Sequence, residues 1–145
     1  MQLKLATSED APAITALVRA AYAKWVPLIG REPLPMTVDY ADAVTRHRFD
    51  LLTEMDTLVA LIETDVRPDH LWIENIAVHP QHQGRGLGRQ LLAHAETLAA
   101  ALPELRLVTN GAFVANIRLY QAVGYAITHT EAFMNGTAVH MTKAL

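Results

Sequence analysis

Ile76-Ala77-Val78-His79-Pro80-Gln81-His82-Gln83-Gly84-Arg85-Gly86-Leu87-Gly88-Arg89-Gln90-Leu91-Leu92 is the stretch that decides the fold. An apolar strand end runs into a turn with three glycines, and the turn opens a helix. Glycines at 84, 86 and 88 permit backbone angles closed to other residues and carry no Cβ atoms, so successive N–H groups can converge on one anion at a helix N-terminus. That is the form of a phosphate cradle. Arg85 and Arg89 add local positive charge, a pair suited to a pyrophosphate. The plainer reading, a tight strand-to-helix connection and nothing more, stays open on these letters alone. A P-loop needs Gly-x-x-x-x-Gly-Lys-Ser/Thr, which is absent, and the dinucleotide fingerprint needs glycine at 89, where Arg stands.

Upstream, Ile14, Leu17, Val18, Ala21, Tyr22 and Trp25 recur at helical spacing after Asp10 and Pro12, which predicts a helix over 10–24. Residues 27–35 read as a long loop and 37–46 as a weak helix. Strands follow over 48–53, 58–63 and 71–78, with turns at Met55-Asp56 and at Arg67-Pro68-Asp69. Downstream, the spacing of Leu87, Leu91, Leu92, Ala95, Leu98, Ala99 and Leu102 predicts an amphipathic helix stopped by Pro103. A strand over 105–109 then makes a parallel crossover. A shorter helix with Ile117, Tyr120 and Val123 ends at Gly124, and 125–130 with 137–142 form a hairpin around Asn135-Gly136. The fold class is α/β or α+β: a mixed sheet with antiparallel strands first, a parallel pair later, and helices on it.

Composition bounds the chemistry. The 145 residues suit one domain spanning 1–145, and 51% apolar content supplies its core. With no cysteine there is no disulfide, no thiolate-held metal and no acyl-cysteine intermediate. Twelve Lys and Arg against fifteen Asp and Glu give a net charge of −3, so no basic field draws the chain to nucleic acid. No leader-like start or membrane-length apolar run stands in the sequence, and a soluble cytoplasmic protein is expected.

Gln83-Gly84-Arg85-Gly86-Leu87-Gly88 resembles the Gln/Arg-x-x-Gly-x-Gly/Ala motif of the GNAT superfamily of N-acetyltransferases. The preceding Ile-Ala-Val-His-Pro looks like that family's fourth strand. Asn116-Ile117-Arg118-Leu119-Tyr120, followed by Val123-Gly124-Tyr125, is similar to its later motif, in the same order and spacing. The resemblance covers nearly the whole chain. It implies transfer of an acetyl group from acetyl-coenzyme A to a primary amine, small molecule or peptide, by direct attack in a ternary complex. It also implies roles. A splayed parallel pair admits the pantetheine arm, which bonds to backbone at Ile76, Ala77 and Val78, while Gln83, Gly84, Arg85, Gly86, Leu87, Gly88 and Arg89 hold the pyrophosphate. Asn116 contacts the cofactor, and Tyr120 stands near the departing sulfur as acid or donor; their plainer readings are a helix cap and a core aromatic.

Glu74 is the candidate base for the amine, two residues before Ile76 and on the same strand face if alternation holds. Trp72 stands where some family members carry glutamate. Asn75 and Asn110 are placed near the cleft. His79 and His82 face phosphate or solvent, no metal is expected, and His94, His129 and His140 read as surface or core residues. The resemblance also implies that the acceptor side falls on 29–40, where Arg31, Glu32, Asp39 and Tyr40 either read a polar amine or belong to a proline-stiffened structural loop. The rival class is a coenzyme A-binding or sensing module without turnover, which would keep the 83–89 turn and lose an amine pocket. A homodimer is left open.

Overall fold

The computed structural model describes residues 1–145. One seven-stranded sheet runs β1 (Gln2–Leu5), β2 (Arg48–Glu54), β3 (Thr57–Val66), β4 (Leu71–Val78), β5 (Glu104–Asn110), β6 (Ala126–Phe133) and β7 (Gly136–Ala144), with β7 lying between β5 and β6. Only β4 and β5 are parallel. The helices are α1 (Ala11–Tyr22), α2 (Val26–Ile29), α3 (Tyr40–Arg46), α4 (Leu87–Ala99) and α5 (Val114–Ala122). None is long and apolar enough to cross a membrane.

Period-two alternation divides the core between the two sheet faces. Leu51 and Leu61 pack with Ile14, Leu17, Val18 and Tyr40 under α1 and α3, while Leu52 and Ile62 pack with Leu91, Leu92 and Ala95 under α4. The β2–β3 and β6–β7 hairpins close on pairs of left-handed residues, Met55-Asp56 and Met134-Asn135, the geometry whose twist suits adjoining strands. The second pair lies one residue earlier than expected, and Gly136 already begins β7. The edge strand β1 gave no sequence signal because all four of its residues are exposed. The expected loop at 27–35 contains a turn of helix, since Pro27 fits the first positions of α2 and left-handed Gly30 ends it. Helix α4 stops at Ala99, three residues before Leu102, at an Ala100 with φ of 50°.

One irregularity positions everything that follows. Residues 75–78 pair with β3 in one register and residues 71–73 in another, which leaves Glu74 as an extra residue, a β-bulge. Leu71 and Ile73 face the α4 core; beyond the bulge Ile76 and Val78 face it and Ala77 faces the α1 core. Alternation therefore fails at Glu74, and Glu74 does not share a face with Ile76. Pairing of β4 with β5 is confined to 71–73 against 105–107, whereas β5 stays paired with β7 along its whole length. The two parallel strands part at the bulge.

Helix α4 is tied to the sheet by charge as well as packing. Asp50, 3% exposed, accepts from Arg48 at 2.7 and 3.1 Å and pairs with His94 Nε2 at 2.8 Å. Burial pushes the Asp50 carboxyl up, but the Arg48 and His94 hydrogen bonds outweigh it and hold it below the usual carboxylate range. A depressed folded-state pKa gives stability that is present above about pH 4 and is lost as the pH falls through the folded value. Removing a charged partner from such a hydrogen bond costs about 1.5–3 kcal/mol, and solvent at Arg48 and His94 favours the low end. Asp50→Asn is expected to lower the stability read by urea unfolding at pH 7 by that amount, with the difference from wild type narrowing below about pH 4.

Candidate functional site

Where β4 and β5 part, the β4 backbone loses its neighbour. His79 N–H donates to Val59 O at 2.8 Å, so by the two-residue period of the ladder Ala77 also turns its polar groups to β3, while Ile76 and Val78 turn theirs into the gap. Side chains meet two of those carbonyls: Tyr22 Oη lies 3.4 Å from Ile76 O, and Gln83 Nε2 donates to Val78 O at 3.2 Å. The N–H groups of Ile76 and Val78 are left facing the gap. Ala77, expected to contribute backbone contacts, instead lines the site with its residue surface while its N–H and C=O serve β3.

A cavity of about 430 Å³ leads from this gap to the start of α4, lined by Trp25, Val78, Gln83, Gly84, Gly86 and Arg89 among others. Gly84 and Gly86 both have φ of +78°, and Gly86 is the residue before α4 with no side chain capping the helix. The first N–H groups of α4 therefore lack side-chain partners and present their positive end to the cavity. Gly88 has a different reason to be glycine: a Cβ there would sit 3.0 Å from Leu119 Cδ2, so it sets the approach of α5 to α4. Leu87 points into the core, 4% exposed, and contributes backbone only. Of the two arginines expected beside the anion, Arg89 lines the cavity and Arg85 does not. Arg85 is drawn off by Glu54 at 2.9 Å and donates to His82 Nδ1 at 2.7 Å. Its charge is spent on the β2–β3 turn. Lys24 takes that place: it lines the same cavity, and its Nζ donates to Gln83 Oε1 at 3.2 Å. His79 accepts from Gln81 N–H and caps the short turn 80–82.

A second cavity of about 440 Å³ lies toward α3 and the β6–β7 hairpin. Tyr22, Ile76, Asn116 and Tyr120 line both, so the two cavities meet at these four residues. Trp25 stacks on Phe113 with ring centroids 4.5 Å apart, which braces the turn after α1 against the start of α5 across the gap. Asn116 is no helix cap, since α5 starts after Phe113. The Tyr22 hydroxyl is committed to Asn75 Oδ1 at 2.6 Å. The Tyr120 hydroxyl has no such partner, and burial alone pushes it up to about 12.

Glu74 lines the second cavity, and its carboxylate accepts from Trp72 Nε1. Asn75 is buried between Tyr22 and Tyr40, and Asn110 accepts from Ala112 N–H at 2.8 Å to shape the turn into α5. Arg31 and Tyr40 reach the cavity, whereas Glu32 pairs with Arg19 at 2.9 Å and Asp39 caps α3. His94 serves Asp50, and His129 stacks on His140, which lines the cavity paired with Glu131 at 2.8 Å. Tyr22, Lys24 and Trp25 were legible only as positions at the end of the first predicted helix, and Lys24 and Trp25 fall in the short turn that follows α1. Their role depends on where α1 crosses the gap, which no local spacing encodes.

Comparison with known proteins agrees with this architecture. The chain is 38% identical over 76 residues to a ribosomal protein bS18-alanine N-acetyltransferase from Salmonella typhimurium, an overlap that covers 51% of this chain and 51% of that relative. The ribosomal-protein-S18-alanine N-acetyltransferase of Escherichia coli superposes with a TM-score of 0.80 at 24% identity, over 99% of this chain and 92% of that one. The PaiA N-acetyltransferase of Thermoplasma acidophilum, solved in complex with coenzyme A, superposes with a TM-score of 0.83 at 16% identity over all of both chains. These likenesses establish the shared fold. The model of the acetyltransferase (GNAT) family matches residues 14–125, and the chain belongs to that family.

Proposed function

We propose that this chain is an N-acetyltransferase that moves an acetyl group from acetyl-coenzyme A to a primary amine by direct attack while both are bound, all within one domain. The observation that carries the reading is the meeting of two cavities at Tyr22, Ile76, Asn116 and Tyr120. One cavity has the features a pyrophosphate and a pantetheine arm require: open helix N–H groups, Arg89 and Lys24, and an unpaired strand edge. The other is a separate, partly apolar space with carboxylates in it, suited to an ammonium-bearing acceptor. A module that only bound coenzyme A would have no use for that second space.

In this reading the amine nitrogen attacks the thioester carbonyl carbon, the C–N bond forms, and the C–S bond breaks. Ile76 and Val78 N–H groups stabilise charge developing on the carbonyl oxygen, and holding both reactants in place supplies much of the acceleration. Glu74 takes the proton the amine must lose. Tyr120 meets the departing sulfur. At a pKa of about 12 against about 8.5 for a thiol, full proton transfer from Tyr120 is uphill by roughly 3.5 units, or about 5 kcal/mol. Donation of a hydrogen bond to the thiolate, strongest as charge builds on the sulfur, is therefore its contribution, and the thiolate leaves to be protonated by solvent.

Tyr120→Phe keeps the ring and removes the donor. Turnover with acetyl-coenzyme A and an accepted amine, read by thiol release, is expected to fall by about 10²- to 10⁴-fold with nearly unchanged acetyl-coenzyme A affinity; wild-type turnover would make Tyr120 a packing residue. Glu74→Gln is expected to slow the reaction most where the amine is protonated and progressively less as the pH approaches the amine's own pKa. A pH–rate profile parallel to wild type would remove Glu74 from proton transfer.

A further inference from the structure

The charges around the acceptor cavity do not all cancel locally. Glu63 is buried and paired with His47 Nδ1 at 2.7 Å, Glu131 is paired with His140 at 2.8 Å, and Arg46 is paired with Asp42 at 2.9 Å. Two charged groups lining this cavity have no partner of opposite sign: Glu74, bonded to the neutral Trp72 indole, and Arg31. Arg31 donates once, from Nη1 to Glu32 O at 3.2 Å, and its Nε is buried with no hydrogen-bond partner. A guanidinium is permanently charged and carries five donors in a planar fork that matches a carboxylate or phosphate edge. A buried donor left unmet is costly and calls for a partner.

The loop that carries Arg31 is itself held in place. Gly30 ends α2 in the left-handed conformation, and Arg19 clamps both sides of the segment, to Glu32 Oε2 at 2.9 Å and to Met36 O at 3.1 Å. Arg31 does not line the cavity that leads to the start of α4, so the coenzyme's phosphates are not its partner. Resting on the N-acetyltransferase reading, we infer that the acceptor is a zwitterion-like amine carrying an anionic oxyacid group, which Arg31 binds while Glu74 faces the ammonium. A small amino acid-like molecule meets that description. The amine of a peptide N-terminus, whose neighbouring carbonyl is an uncharged amide, does not.

The test uses matched acceptors with the intact chain and acetyl-coenzyme A: free amino acids, their carboxamides, the corresponding decarboxylated amines, and O-phosphoethanolamine. Anion-bearing acceptors are expected to exceed their uncharged partners in kcat/KM by about 10- to 100-fold, the range of a charge-assisted hydrogen bond. Whether carboxylate or phosphate leads identifies the oxyacid. Arg31→Gln is expected to erase the preference through KM while the carboxamide rates stay at wild type, and Arg31→Lys to restore part of it. Equal rates for acids and amides, or an equal loss for both in Arg31→Gln, would overturn the inference. Calorimetry of glycine against glycinamide reads the same preference without turnover. Acid-selective binding with no acetylation of any amine would reject the N-acetyltransferase reading and leave the Arg31 site standing; no selectivity in either measurement would reject the Arg31 site.

Discussion

The parting of β4 from β5 after three paired residues is the constraint on which the rest of the molecule depends. Leaving strand N–H and C=O groups unpaired inside a domain costs free energy, and the structure offsets that cost only in part. Gln83 and Tyr22 reach the carbonyls of Val78 and Ile76, and the Trp25–Phe113 stack holds the opening apart from the other side. The N–H groups remain unmet. The cause lies at the next residue, in the bulge at Glu74, which bends β4 where the pairing ends and reverses which residues face which core. A single extra residue thus opens the gap, orients the backbone donors and places a carboxylate beside the second cavity.

Electrostatics is arranged on the same local scale. The chain carries a net charge of −3, yet the cavity at the start of α4 is lined by Arg89 and Lys24 and faced by the helix N–H groups. Selective pairing sets this pattern. Arg85 is neutralised by Glu54 and Asp50 is committed to Arg48 and His94, whereas Lys24 and Arg89 at the first cavity, and Arg31 and Glu74 at the second, stay outside the ion pairs. Tyr120 and Tyr22 differ in the same way: both are burdened by burial, but only Tyr120 keeps its hydroxyl free of a protein partner.

Much of this was written locally in the sequence. Glycines 84, 86 and 88 before an amphipathic helix announced the turn, and two of the three do adopt left-handed angles. Asn116 and Tyr120, four residues apart on a helix, came to the same junction. The antiparallel run, the parallel crossover and the closing hairpin followed from patterning, whereas the edge strand β1 and the place of β7 beside β5 did not. The bulge was hidden because Trp72-Ile73-Glu74-Asn75-Ile76-Ala77-Val78 carries no glycine or proline to mark a break, and only pairing with β3 shows the slipped register. Lys24 stands where Arg85 was expected for a similar reason: which cation lines the cavity is decided by Glu54 and by where the turn after α1 crosses the gap, both distant in sequence.

Amide hydrogen exchange, with and without acetyl-coenzyme A, tests the central claim most directly, because it reads the unpaired backbone donors themselves. The account predicts ligand-induced protection concentrated at the N–H groups of Ile76 and Val78 and of residues 84–89, with β1 and β6 unchanged. Tight binding that protects some other surface and leaves both β4 and the start of α4 exchanging as before would contradict it.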